Sequence, residues 1–170
     1  MSKELERRCE FPVGEETYWR ELCLSLAYQE RLYRDALGCI GMEVLMHEGN
    51  YEQGMRRRLR FHKPIDAPAA VTKVFGSTVT MTEESSFDAR ERVWTYRMIP
   101  SVMADRLEIR GSIRLVPSPN GVTQLSHNSV SCRLFGIGGI VEHFVGKSTV
   151  EGNEDKRRFT ERYIAELGLR

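Results

Sequence analysis

Residues 106–167 read RLEIRGSIRLVPSPNGVTQLSHNSVSCRLFGIGGIVEHFVGKSTVEGNEDKRRFTERYIAEL, and the apolar period of this stretch changes once, at Gly136. Before it, two runs with strand-like alternation, Arg106–Val116 and Val122–Phe135, flank Ser118-Pro119-Asn120-Gly121, the clearest turn signal in the chain. Behind it the period is helical. Ile140, Val141, Phe144 and Val145 make one apolar stripe, and Phe159, Tyr163, Ala165 and Leu167 another. The spacing predicts one helix over Ile137 to Leu167, about 46 Å long at about 1.5 Å per residue. Gly146 and Gly152 each weaken such a helix by about 1 kcal/mol relative to Ala, which predicts a kink or a looser first half.

Upstream, the same two periods order the rest of the chain. Leu5, Cys9 and Phe11 alternate with Glu6, Arg8 and Glu10, a strand over Leu5–Phe11 that Pro12 and Gly14 end. Trp19, Leu22, Cys23 and Leu26 then recur at helical spacing behind Glu15 and Glu16, and a second short helix is predicted from Tyr28 to Ala36, capped by Gly38. From Cys39 onward the chain reads as strands in three hairpins. Ile40, Met42, Val44 and Met46 alternate up to Gly49-Asn50, and Tyr51, Met55, Leu59 and Phe61 alternate on the return strand. Pro64 and Pro68 mark an irregular connection with a helical turn near Ala69 to Phe75. Strands over Thr78–Phe87 and Glu91–Ile99 flank a turn at Asp88-Ala89.

The sum is an α+β fold of order β-α-α-β6-α, a curved antiparallel sheet of about seven strands forming a single domain over residues 1–170. The final helix is the element long enough to cover the concave face of that sheet. A sheet gripping a helix in this way leaves space between them, which is a natural ligand cavity.

Composition bounds the function. The chain has 170 residues, 41% of them hydrophobic, and a net charge of +1 from 25 basic and 24 acidic residues. That supplies one sizeable core and excludes disorder, which combines low hydrophobicity with high net charge. It also argues against nucleic-acid binding, which needs a concentrated basic face. No apolar run reaches the roughly 20 residues of a transmembrane helix, and the charged N-terminus has no apolar stretch of a signal peptide behind it. Cys9, Cys23, Cys39 and Cys132 are scattered without C-x-x-C spacing, which reads as structural thiols in a reducing compartment, so a cytoplasmic location is expected.

The element order resembles the START-like superfamily with its helix-grip fold, also called SRPBCC. The phrase Phe11-Pro12-Val13-Gly14-Glu15-Glu16-Thr17-Tyr18-Trp19 looks like that superfamily's passage from first strand to first helix, with Gly14 where many members carry proline. Phe144 and then Phe159-Thr160 on a long charged helix are similar to the C-termini of uncharacterised bacterial branches. Lipid and sterol carriers, polyketide cyclases, plant hormone-binding proteins and chaperone activators share this fold. The resemblance therefore implies a hydrophobic-ligand cavity and no particular ligand.

Period two places polar groups on inward faces. With Tyr51, Met55 and Leu59 facing the cavity, Gln53 and Arg57 face it too. Glu83 is in register with Val79 and Met81, Arg92 with Trp94, Tyr96 and Met98, and Gln124, Ser126 and Asn128 with Val130 and Cys132. A tight turn at Asp88-Ala89 is expected to bring Glu83 and Arg92 together. The cavity candidates are Met42, Met55, Arg57, Leu59, Met81, Glu83, Arg92, Trp94, Tyr96, Ile109, Ile113, Gln124 and Asn128 on the sheet, with Ile140 and Phe144 on the helix. Arg57 or Arg92 would meet a carboxylate, phosphate or hydroxyl of a ligand through a planar fork of donors. The plainer reading is that these charges are solvated or structurally paired near the sheet rim, and a one-residue bulge would reverse any assignment.

Other features point away from catalysis. His47, His62, His127 and His143 lack zinc-ligand spacing, so no metal and no cofactor are expected, although His127 or His143 would titrate in the range of a general base. The serines have no G-x-S-x-G context. Gly136-Ile137-Gly138-Gly139 lacks the Lys-Ser/Thr of a P-loop. Those glycines let the chain turn sharply, and with Gly146 and Gly152 they make either a movable lid or a rigidly packed corner. Arg56, Arg58 and Arg60 share an outer face, where they meet anionic lipid headgroups in a transient membrane contact, an acidic partner, or Glu43 and Glu52 across the strands. The expected function is binding or transport of a lipid-, sterol- or polyketide-like molecule, supported by methionines along the strands (Met42, Met46, Met55, Met81, Met98). The alternatives are a cyclase or aromatase using Arg57, Arg92, Glu83 or His127, and an interaction module with a filled core.

Overall fold

The structure is a computed structural model that describes residues 2–170. β1 (Ser2–Phe11) runs into α1 (Glu15–Thr17), which continues as π-helical turns over Tyr18–Cys23. α2 (Leu26–Arg31) continues likewise over Leu32–Ala36. Ser25 caps α2, its side chain accepting from the Tyr28 amide at 3.3 Å. Then come β2 (Gly41–Asn50), β3 (Gly54–Pro64), α3 (Ala69–Phe75), β4 (Thr78–Asp88), β5 (Val93–Pro100), β6 (Leu107–Ser118), β7 (Gly121–Cys132) and α4 (Gly138–Leu167). The seven strands form one antiparallel sheet in the order β1-β7-β6-β5-β4-β3-β2. This is the curved sheet and long C-terminal helix that the sequence predicts.

Alternation sets the two faces of the sheet. In β3, Met55, Arg57, Leu59 and Phe61 are buried while Arg56, Arg58 and Arg60 are exposed. The outer arginines pair with neighbouring strands, Arg58 with Glu84 at 3.3 Å and Arg60 with Glu43 at 3.5 Å, whereas Glu52 pairs with Arg20.

Two large apolar clusters pack on the inner face. One joins β1, α1 and α2 to the C-terminal half of α4 around Phe11, Trp19, Tyr28, Phe159 and Tyr163. Trp19 is wholly buried, its ring 4.8 Å from that of Phe87. The other joins α3, β6 and β7 to the N-terminal half of α4 through Val71, Phe75, Leu107, Ile109, Val130 and Val141. A smaller cluster holds Tyr33, Cys39, Leu59 and Phe61. Fully burying each large apolar side chain contributes about 1.5–3 kcal/mol.

α4 runs as one continuous helix of 30 residues through Gly146 and Gly152. Gly146 serves a close approach: a Cβ there would lie 2.7 Å from Cδ of Lys3, whose stem crosses the helix. One expectation is corrected. In β2 the register shifts between Val44 and Met46, which ends the alternation read from Ile40 to Met46 and carries Met46 opposite Arg58 on the outer face. The adjoining loop is Tyr51–Gln53, closed by Asn50 Oδ1 accepting from the Glu52 and Gln53 amides, and this puts Gln53 in solvent.

Candidate functional site

Between the concave face of the sheet and α4 lies a cavity of about 290 Å³. Its apolar end is built from the α3-side cluster: Phe75, Leu107, Ile109 and Phe144 line it, together with Val71 and Met81. Its other end is polar. Arg57, Tyr96 and Asn128 come from the sheet, Cys23 and Gln29 from the first helices, and Asn153 and Lys156 from α4.

Arg57 is 2% exposed, yet it is held from several sides. Its Nη1 donates to the Cys23 carbonyl at 3.0 Å, and its Nη2 donates to Glu83 Oε1 at 3.1 Å. The guanidinium lies 4.6 Å from the Trp94 ring centroid, a cation–π contact. Its Nε is buried without a hydrogen-bond partner among the described residues. Glu83 stands behind Arg57 and does not itself line the cavity: Oε1 also accepts from Ser85 Oγ at 2.7 Å, and Oε2 accepts from the Tyr33 hydroxyl at 2.6 Å. Burial pushes this carboxyl up, but the adjacent Arg57 charge and the donors from Tyr33, Ser85 and Arg57 hold it below the usual carboxylate range. Burial and the Glu83 charge together raise Tyr33, and burial raises Tyr96.

The Tyr96 hydroxyl donates to Asn128 Oδ1. That ring lies over Gly111 of the adjacent strand, where an added Cβ would come within 2.2 Å of Cζ. Glycine at 111 is what lets the tyrosine lie flat against the sheet with its hydroxyl reaching Asn128.

Eight of the residues expected from the sequence line this cavity: Arg57, Met81, Trp94, Tyr96, Ile109, Ile113, Asn128 and Phe144. Met42, Met55 and Leu59 pack into the clusters beside it. Gln124 is buried on the β1 side, its Oε1 accepting from the Tyr18 hydroxyl. Ile140 is 45% exposed and does not line the cavity. Arg92 does not meet Glu83. The turn after β4 extends to Arg92, closed by Asp88 Oδ1 accepting from the Arg90 and Glu91 amides, and it puts Arg92 at φ 51° in solvent. There Arg92 pairs with Glu15 at 3.0 Å, while Met98 faces Glu83 across the strands. All four histidines are exposed, His127 beside Glu4 at 3.1 Å.

The sequence reading missed the contribution of the helices: Cys23, Gln29 and Tyr33 behind β1, and Thr149, Asn153 and Lys156 on α4. It also missed Lys63, although Lys63 continues the inward row of Arg57, Leu59 and Phe61 at period two.

A curved seven-stranded antiparallel sheet closed on a long C-terminal helix is the helix-grip fold, here with an apolar cavity between sheet and helix. Solved structures of this fold align with the chain end to end. The Zhui aromatase/cyclase from Streptomyces sp. R1128 matches at 19% identity and a TM-score of 0.67, covering 100% of both chains. A norcoclaurine synthase point mutant from Thalictrum flavum, in complex with a transition-state analogue, matches at 14% identity and a TM-score of 0.66, over 99% of this chain and 97% of that one. A protein of Thermus thermophilus matches at 17% identity and a TM-score of 0.64, over 98% and 99%. At these identities the likeness is one of fold. The chain belongs to the family described as "Protein of unknown function (DUF2505)", whose model matches residues 9–164. No curated protein matches it. Among the described residues no helix is long and apolar enough to cross a membrane, and no group of three or more His, Cys, Asp or Glu side chains is placed to hold a metal ion.

Proposed function

We propose that this protein binds a hydrophobic small molecule, of lipid or polyketide-like character, in the cavity between the sheet and α4. The observation that carries the reading is the cavity itself, about 290 Å³ and walled mainly by apolar side chains, one end of which holds Arg57, Tyr96 and Asn128. That volume sits at the low end of small-molecule sites, about 300–1,000 Å³. It favours a compact ligand, and it speaks against the filled core of a pure interaction module. Mass spectrometry of organic extracts from the purified protein is the test. A co-purifying apolar metabolite in stoichiometric amount supports the reading. A protein that is empty, and that takes up no apolar probe, contradicts it.

A second reading, a cyclase-like enzyme, is favoured by the buried Arg57–Glu83–Tyr33 chain beside the cavity. Against it, both Glu83 oxygens accept hydrogen bonds from protein donors, and His127 and Arg92 are in solvent. A ligand carrier needs the same residues only to orient its cargo.

A further inference from the structure

We infer that the molecule this cavity takes is an anionic amphiphile whose acidic head is met by Lys156, with its apolar body toward Phe75 and Phe144. The inference rests on the binding function proposed above and specifies the chemistry of that same site.

The charges around the cavity are of one sign. Its lining includes the cations Arg57, Lys63 and Lys156 and no aspartate or glutamate. Arg57 is neutralised by Glu83. Lys63 and Lys156 have no carboxylate within 4.0 Å among the described residues, although the chain as a whole is nearly neutral. A wall with two such half-buried ammonium groups disfavours a cationic ligand and favours an anionic one.

Lys156 is the better placed of the two. It belongs to the face of α4 formed by Thr149, Gly152, Asn153 and Lys156, a spacing of three and four residues that turns all of them toward the cavity. Gly152 leaves room beside Leu37, where an added Cβ would find its nearest atom 3.8 Å away. Lys156 and Asn153 also border a small recess with Cys9, Gln124 and Ser126 on the β1 side, whereas Lys63 lies six residues beyond Arg57 along β3. An acid head at Lys156 would leave its chain pointing along the apolar wall of Ile109 and Phe144.

The test compares decanoate with decan-1-ol, which share a chain and differ in charge, by displacement of the neutral fluorophore N-phenyl-1-naphthylamine. For the unaltered protein, decanoate is expected to bind about tenfold or more tightly than the alcohol, the scale of a charge-assisted hydrogen bond. Lys156→Gln is expected to bring that ratio to within about threefold, and Lys156→Glu to reverse it in favour of decylamine. Equal binding of acid and alcohol overturns the inference while the apolar site stands. So does an unchanged ratio in Lys156→Gln, or a ratio lost in Lys63→Gln alone. If none of the three probes displaces the fluorophore and the fluorophore itself does not bind, the binding function fails as well.

Discussion

Arg57 on β3 and Glu83 on β4 form an ion pair of 3.1 Å in the interior of the molecule, offset diagonally across the two strands, because Arg57 lies opposite Ser85 and Glu83 opposite Leu59. The pair is also tied to Tyr33, Ser85 and the Cys23 carbonyl. It fixes the sheet to the helical segment that forms one side of the cavity, and it holds the guanidinium 4.6 Å from the Trp94 ring centroid.

Removing one partner leaves the other charge buried and unpaired. Glu83→Gln is expected to destabilise the protein by about 3–5 kcal/mol, while Arg57→Met combined with Glu83→Leu is expected to lose much less. Urea unfolding of Arg57→Met, of Glu83→Leu and of the double variant measures the coupling directly. Simple additivity of the two single effects would show that the pair is not the structural unit described.

The same carboxylate gives the acid side of the stability curve. Glu83 in the folded protein lies below its ordinary value, so the unfolded chain takes up the proton first as pH falls. Its contribution is therefore complete above about pH 4.5, the ordinary value, and is lost as pH falls from there through the folded-state value. Unfolding free energy should decline over that acid range in the unaltered protein, and more shallowly in Glu83→Gln. Parallel declines in the two proteins would contradict the assignment.

Gly111 makes a steric claim. Gly111→Ala must displace the Tyr96 ring, which is expected to cost about 1–3 kcal/mol and to break the hydrogen bond to Asn128. Tyr96→Phe removes the hydroxyl while keeping the ring, and Gly111→Ala is expected to be the more damaging to apolar-probe binding. Thermal unfolding and fluorophore titration together separate the two effects.

Cys23 reports on the cavity wall. Burial pushes its thiol up to about 11. The thiolate fraction at neutral pH is then about 100-fold below that of an unperturbed cysteine, so iodoacetamide should alkylate it correspondingly slowly. Peptide mapping by mass spectrometry follows the site. Rapid labelling of Cys23 in the folded protein would mean that the wall is open where it is described as closed.

The architecture is legible in the sequence because strands with one buried face, and a helix with an apolar stripe, repeat their signal along their whole length. Period two alone places Ile109, Ile113, Trp94 and Tyr96 correctly. It misplaces Arg92 because the Asp88 side chain closes a longer turn, which takes residue 92 out of the strand. It misplaces Met46 because a single bulge in β2 reverses every later residue. Gln124 and Leu59 do face inward, but an inward face meets both packed clusters and open space, and period two does not distinguish them. The contributions of Gln29, Tyr33 and Lys156 depend on how helices dock over the sheet, and no local spacing encodes that.

The central claim is that a site for an apolar molecule exists between the sheet and α4, and titration of N-phenyl-1-naphthylamine into the unaltered protein and Met81→Trp tests it most directly. Met81 lines the cavity from β4, so a larger ring there fills the space at a cost of about 1–3 kcal/mol in stability. The expected result is saturable binding at one probe per chain in the unaltered protein, weakened at least about tenfold in a folded Met81→Trp. Absence of saturable binding, or equal binding by the two proteins, would contradict the account.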